Sequence, residues 1–565
     1  MNIRLTKIKF AIVLCGTFVA TVVFGQTTRI WTGGNGAGIE IGVATNWDTG
    51  LPSTALGDTA QWNGTVPGNL SLVYNTNTFQ SGFQQSGINL HLTSSQTGAV
   101  SISRTPGMFG PVGGPIAIYH ITIDAGAGAF TFGGSDLANR INWVGRPAGA
   151  IHQLINNSTN TATLTPWIWF TSGGGAVWTM AYSGTGDWQC NSYLNDNGGP
   201  GYLITVAGPG TVFWNPTGFL GSSGIASPIT INGGTLVLQG PHPRLANQAI
   251  TMNGNFIFNP TNPAAAQTLS GVISGGGVLK VGNGTLTLSG ANTYTGGTII
   301  SGGTLQVGTN GPSGSLGGGN VTNHSVILFN RSNSVTFANA ISGTGSVVKT
   351  GAGILMLTGA NIYSGNTTVS NGTLIVSSVG GDMNLNGGTL ATTVVGSVGT
   401  LNVAGSMNIS AGTVLVTLNK TSSPSNSLVS VGGGISSSGG TVTLLNFGPA
   451  VVVGDKFTLF NQPVAGGAAM PMVSPGFSVA NNLAVDGSVT VTAVAPPAII
   501  TPTLSGGILN LSWPAAWTGL HLQAQTNPLT IGLSTNWVAI LGSDATNNYA
   551  TTVNPNASVF YRLAP

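Results

Sequence analysis

The sequence predicts an all-β chain, an elongated right-handed parallel β-helix (a β-solenoid) followed by a small β-sandwich. The first observation behind this is a repeat. GVISGGGVLKVGNGTLTLSGANTYTGGTIISGGTLQV at 271–307 returns at 341–376, and Lys280, Gly290, Tyr294, Gly296 and Leu305 match Lys349, Gly359, Tyr363, Gly365 and Leu374 at a constant shift of 69 (349 − 280). One extra residue in the second copy falls before its lysine. Self-similarity at a fixed period is the mark of stacked coils. The second observation is alternation: Thr285-Leu286-Thr287-Leu288 and Thr304-Leu305-Gln306-Val307 change face at every residue, so Leu286, Leu288, Leu305 and Val307 share one side. The third is composition. Glycine is 89 of 565 residues and charged residues only 4%, yet 41% are apolar and patterned, which excludes disorder.

Taken in order, residues 1–25 read as a secretory signal. Arg4, Lys7 and Lys9 form its basic start, Phe10 to Phe24 its apolar run, and cleavage is expected between Gly25 and Gln26. The run is too short to span a bilayer, so no stable membrane span is expected once it is removed. Removal takes the basic count from 14 to 11 (14 − 3), equal to the 11 acidic residues, which excludes a basic nucleic-acid surface. Cys15 leaves with the signal, so Cys190 is alone in the mature chain and reads as a buried thiol.

Residues 26–65 carry Trp31, Trp47 and Trp62 among polar loops and read as an N-terminal cap, indoles inward. The β-helix is then expected over 66–495, with repeats near 203–238, 271–307 and 341–376. A period of 69 residues taken as three coils gives about 23 per coil and roughly 14 Å between copies. Gly282, Gly284, Gly351 and Gly353 are expected at turns that need positive φ. After Pro496-Pro497, residues 496–565 alternate (Leu509, Leu511, Trp513) as one face of a sandwich.

The paired repeats resemble the autotransporter-associated β-strand repeat. The resemblance rests on Lys280, Gly282, Gly284, Leu286, Leu288, Gly290, Asn292, Tyr294, Gly296 and Thr298, and on Lys349, Gly351, Gly353, Leu355, Leu357, Gly359, Asn361, Tyr363, Gly365 and Thr367. It covers about 75 residues closely. It implies a β-helix passenger secreted or displayed at the outer surface of a Gram-negative-type bacterium, with no catalytic residues and no cofactor. No membrane-barrel pattern follows residue 377, so a separate export machinery is expected. The terminal module resembles a fibronectin-III-like sandwich through GILNLSWP and VFYRL.

Chemistry is sparse. No two acidic residues are closer than eight positions, and Asp124, Asp136 and Asp187 are the set that coils would have to bring together for a polysaccharide lyase or hydrolase. No metal-ligand grouping appears among the six histidines. Two readings follow. One is a non-catalytic adhesive or structural surface protein, whose partners are surface glycans or like chains. Lateral contact is suggested by Ile354, Met356 and Ile375, which stand outward where the first copy has Thr285, Thr287 and Gln306. The other is a glycan platform of Trp143, Trp167, Trp169, Trp178 and Trp188, weighed against burial of these indoles in the coils.

Overall fold

The computed structural model describes 245–496 without a break. Elsewhere between residues 28 and 564 it leaves out 33–43, 49–57, 75–87, 105–115, 134–139, 145–150, 172–177, 196–201, 221–227 and 241–244, with one- or two-residue gaps besides. The expected signal and its Gly25–Gln26 cleavage site lie outside the described residues.

The alternating runs become short strands on a three-sided β-helix. A typical coil has Trp178–Ser183 on the first face, Trp188–Cys190 on the second and Tyr193–Asn195 on the third. Each strand pairs in parallel with its counterpart one coil away, as Ala162 does with Trp188 and Trp188 with Val212. The ladders accumulate into sheets of 14, 12 and 15 strands among the described residues. Alternation sends every second side chain inward, and the inward set forms one contiguous core from Trp31 to Val491. Strands of three to five residues bury little alone, and stacking joins them into one apolar interior.

Three coils do not fill the repeat period. Thr285 stands beside Thr304, Thr304 beside Val326 and Val326 beside Ser346, so three turns take 61 residues (346 − 285). The eight residues left (354 − 346) carry the chain to the next face. There Ile354–Leu357, the counterpart of Thr285–Leu288, pairs with Val335–Phe337 and Thr373–Val376. The second copy is therefore rotated by one face against the first, which corrects the 23-residue coil. The lysines differ as well. Lys280 lies outward between core-facing Leu279 and Val281, whereas Lys349 is 2% exposed and points inward after Val347. The extra residue before the second lysine thus moves it into the inward phase that Val281 holds in the first copy.

The repeat's polar residues hold corners. Asn292 Oδ1 accepts from Ile273 N at 2.8 Å, and its Nδ2 donates to Ser315 O at 2.7 Å, tying three successive coils. Asn361 likewise accepts from Ile341 N at 3.1 Å. Tyr294 and Tyr363 are fully buried, and each phenol shares a hydrogen bond with the threonine four residues on, Thr298 at 2.7 Å and Thr367 at 2.6 Å. Gly296 and Gly365 are needed for space, because a Cβ would sit 2.0 Å from Gly277 O and 2.2 Å from Gly345 O. Only Gly284 of the four presumed turn glycines has positive φ, at 75°. Gly351 and Gly353 are small because the backbone of the coil below passes too close for a side chain, while at Gly282 the space is taken by the Asn259 side chain.

The ends depart from the pattern. Trp31, Trp47 and Trp62 are buried edge to face against one another, with centroids 5.2 and 5.7 Å apart. At the other end, antiparallel strands Lys456–Thr458, Ser488–Val494 and Phe477–Asn482 replace the parallel ladder. Beyond them lie two three-stranded antiparallel sheets around Leu511, Trp513 and Leu522.

Gly353→Ala should lower stability by about 1–3 kcal/mol, since its Cβ would meet Asn333 O at 2.1 Å. Gly276→Ala, with nothing within 4 Å and an ordinary φ, should cost nothing measurable. Paired thermal melts compare the two, and equal losses would refute the close-approach account.

Candidate functional site

The proposed indole platform is divided by the fold. Trp143, Trp167 and Trp169 belong to third-face strands Arg140–Val144 and Trp167–Thr171, Trp178 to the first face and Trp188 to the second. In the third-face register Trp143 stands beside Phe170 and Asn142 beside Trp169. Trp143 therefore takes the alternate position from Trp167 and Trp169. The side chains of Trp143, Trp167, Trp169 and Trp178 lie outside the described residues. Trp188 is 1% exposed and packs on Tyr182 inside the core, which removes it as a sugar-stacking residue. An inward position on a three-residue strand admits no ligand.

The acidic residues serve separate partners. Asp124 Oδ2 lies 3.1 Å from His91 Nε2, and Gln61 Nε2 lies 3.1 Å from His91 Nδ1, so Gln61, His91 and Asp124 form a polar ladder over three neighbouring coils. Asp187 Oδ1 accepts from Thr211 N at 2.8 Å. Asp136 lies outside the described residues. No group of three or more His, Cys, Asp or Glu that could hold a metal occurs among the described residues. Cys190 is buried, with Sγ 3.5 Å from Tyr182 Oη, and burial pushes its thiol up to about 12. That is the opposite of the lowered pKa a reactive thiol needs.

The lateral apolar patch is smaller than its residues suggest. Ile354 is 39% exposed and Met356 half-buried, but Ile375 is only 8% exposed and is not available to a neighbour. The outward surface is otherwise built of coil-to-coil hydrogen bonds. Asn408 Nδ2 donates to Asn384 Oδ1 at 3.1 Å, and Ser436 Oγ to Asn408 Oδ1 at 2.8 Å, forming an amide and hydroxyl ladder up the rod.

Lys349 is the ionisable group that sequence reasoning missed as unusual, and its inward phase after Val347 was the available signal. Its ammonium donates to the carbonyls of Gly351 and, at 3.2 Å, Asn371. Burial nonetheless lowers its pKa to about 8.

Two matches with known proteins bear on these observations. The family model described as Passenger-associated-transport-repeat matches 278–307 and 347–376, the two copies defined above. The chain is also similar to the Adhesin BmaC autotransporter of Brucella suis biovar 1 (strain 1330), at 28% identity over 27% of this chain and 6% of the adhesin. The chain thus spans a small fraction of that relative's length. No helix among the described residues is long and apolar enough to cross a membrane.

Two titrations follow. The lowered pKa of Lys349 means that the unfolded chain, where lysine has its ordinary 10.5, holds the proton more tightly than the folded one. Stability should rise as pH climbs from 8 to about 9.5, below the range where the raised phenol pKa values of Tyr294 and Tyr363 act in the opposite direction. Lys349→Met should lose that rise in melting temperature, and an unchanged pH slope would refute it. Cys190 should stay unmodified by Ellman's reagent until the chain is unfolded in guanidinium, and prompt labelling of the native protein would place the thiol elsewhere.

The rod of stacked coils, the corner residues and the matched repeats agree: this is a secreted or outer-surface protein that carries two copies of the passenger-associated-transport-repeat.

Proposed function

We propose that the chain acts as a non-catalytic adhesin-like passenger, working in adhesion or as a structural component of a surface matrix. The observation that carries this reading is the uninterrupted core from Trp31 to Val491 beneath an almost uncharged surface. The repeat's Asn, Tyr and Gly positions are used in holding one coil to the next, and none is left free to act on a substrate. A shared name with one adhesin over a short stretch supports the adhesive sense of the reading and says nothing of a particular ligand.

Recognition by such a surface depends on area and hydrogen bonding. With 11 basic and 11 acidic residues left after the expected signal, no net charge steers a partner from a distance. Surface glycans and like chains both suit a long face of threonine, serine and asparagine. The glycan form of the reading narrows to Trp167 and Trp169, which share one side of a third-face strand, since Trp143 takes the alternate position, Trp178 lies on another face and Trp188 is buried. We read the terminal sheets as a fibronectin-III-like module and assign export to a separate machinery.

Beads coated with residues 26–565 should adhere to a glycan array or to one another. Raising salt from 50 to 500 mM should weaken that by less than about twofold, because few charges take part. Release of reducing sugar from a polysaccharide panel would overturn the non-catalytic reading. Beads that stay dispersed and bind no glycan would overturn the adhesive one. Replacing Trp167 and Trp169 together with alanine should abolish array binding and spare self-association if the glycan form holds.

A further inference from the structure

Where the last coil meets the terminal module, the two enclose a cavity of about 390 Å³. Its walls come from both sides: Leu445, Val451 and Phe477 from the end of the β-helix, Trp517, Leu520 and Leu563 from the module. Leu445, Val451, Phe477 and Leu520 are all under 9% exposed, so this is an interior surface. The volume falls within the usual range of small-molecule sites, which favour domain junctions.

The polar side chains of the lining are already engaged. Asn446 Oδ1 accepts from Gly448 N at 3.2 Å and its Nδ2 donates to Pro449 O at 3.0 Å. The Trp517 indole donates to Pro496 O at 3.0 Å. Asn446 and Trp517 thus direct polar groups to the chain itself, and the other large side chains of the wall, Leu444, Leu445, Val451, Phe477, Leu520 and Leu563, are apolar. An apolar occupant is drawn in by that hydrocarbon part of the lining.

The cavity is not closed on every side. Phe477 and Val494 also line an adjoining crevice of about 620 Å³. That crevice has polar side chains among its apolar ones: Ser474, Ser478, Thr518 and Asp544 lie along it beside Met472, Val473 and Ala493, with His521 Nδ1 3.8 Å from Asp544 Oδ1. An apolar-walled chamber thus opens past two shared side chains into one that also offers hydroxyls and a carboxylate.

We propose that this junction is a binding site for a single-chain amphiphile, with the acyl chain in the inner cavity and the polar head in the outer crevice. Such a chain comes from a free fatty acid or from a lysolipid, and the inner cavity reads the feature they share. Because the occupant touches both the β-helix and the module, binding fastens one to the other and raises the stability of the pair.

The test uses the whole mature chain and the neutral fluorophore N-phenyl-1-naphthylamine. Its emission should rise with saturable, one-to-one binding. Laurate and lauroyl lysophosphatidylcholine, each below its micelle concentration, should displace it. Displacement by laurate alone assigns the head site to a carboxylate, by the lysolipid alone to a phosphodiester, and by both to the chain itself. Val494→Asp places a carboxylate on the shared wall at a position already 44% exposed, and should weaken binding by at least about tenfold without unfolding the chain. Leu563→Trp fills the inner cavity and should do the same. If Leu563→Trp fails to fold by circular dichroism, Val494→Asp still decides. Absence of saturable binding, or wild-type affinity in Val494→Asp, overturns the proposal.

Discussion

Every coil must lie one interstrand spacing, about 4.8 Å, from the next, and that distance governs the rest of the molecule. At the corners it leaves no room for a Cβ: at Gly296, Gly353 and Gly365 one would fall within 2.2 Å of a carbonyl oxygen of the coil below. On the faces it sets each side chain beside its counterpart one turn away. Columns of like side chains are the consequence, seen where Thr285 stands beside Thr304 and Leu286 beside Leu305.

The same spacing explains why so few residues are charged. A charge repeated in register would stand beside its own copy, costing roughly 1–3 kcal/mol at 4.8 Å for effective dielectric constants between 80 and 20. The two repeat lysines escape this because the period is three coils and one face: Lys280 is on the second face and Lys349 on the third. All five ion pairs among the described residues lie outside 245–419, where the repeats run. Lys420–Asp455 and Lys456–Asp486 sit where the parallel ladder gives way to antiparallel strands, and there nothing stacks a like charge upon them.

Much of this was legible from period-two alternation, which names Leu286, Leu288, Leu305 and Val307 as core side chains without reference to any other segment. Coil length was not. A repeat period records how far apart two similar segments lie along the chain, whereas coil length depends on where the chain turns, and corners of different size are invisible in a pattern of leucines. The phase of Lys349 escaped for a related reason, since aligning lysine with lysine obscures a one-residue slip that reverses its face. The indole platform was misjudged because richness along the sequence is not adjacency in space: Trp167, Trp178 and Trp188 are near neighbours in the chain yet occupy three different faces.

A rod whose interior and corners are committed to stacking has chemical freedom only where stacking stops. Along 245–419 a new polar or apolar group must suit the coils above and below it, so the surface there changes slowly and binds, if at all, by extent. At the carboxy-terminal junction the neighbours are unlike one another, and a phenylalanine from a closing strand can face a tryptophan from another unit. A chamber walled by unlike side chains from two units requires that asymmetry, which translation along a repeating face cannot supply. The physics that makes 245–419 uniform thus sets the junction apart as a place where unlike neighbours meet.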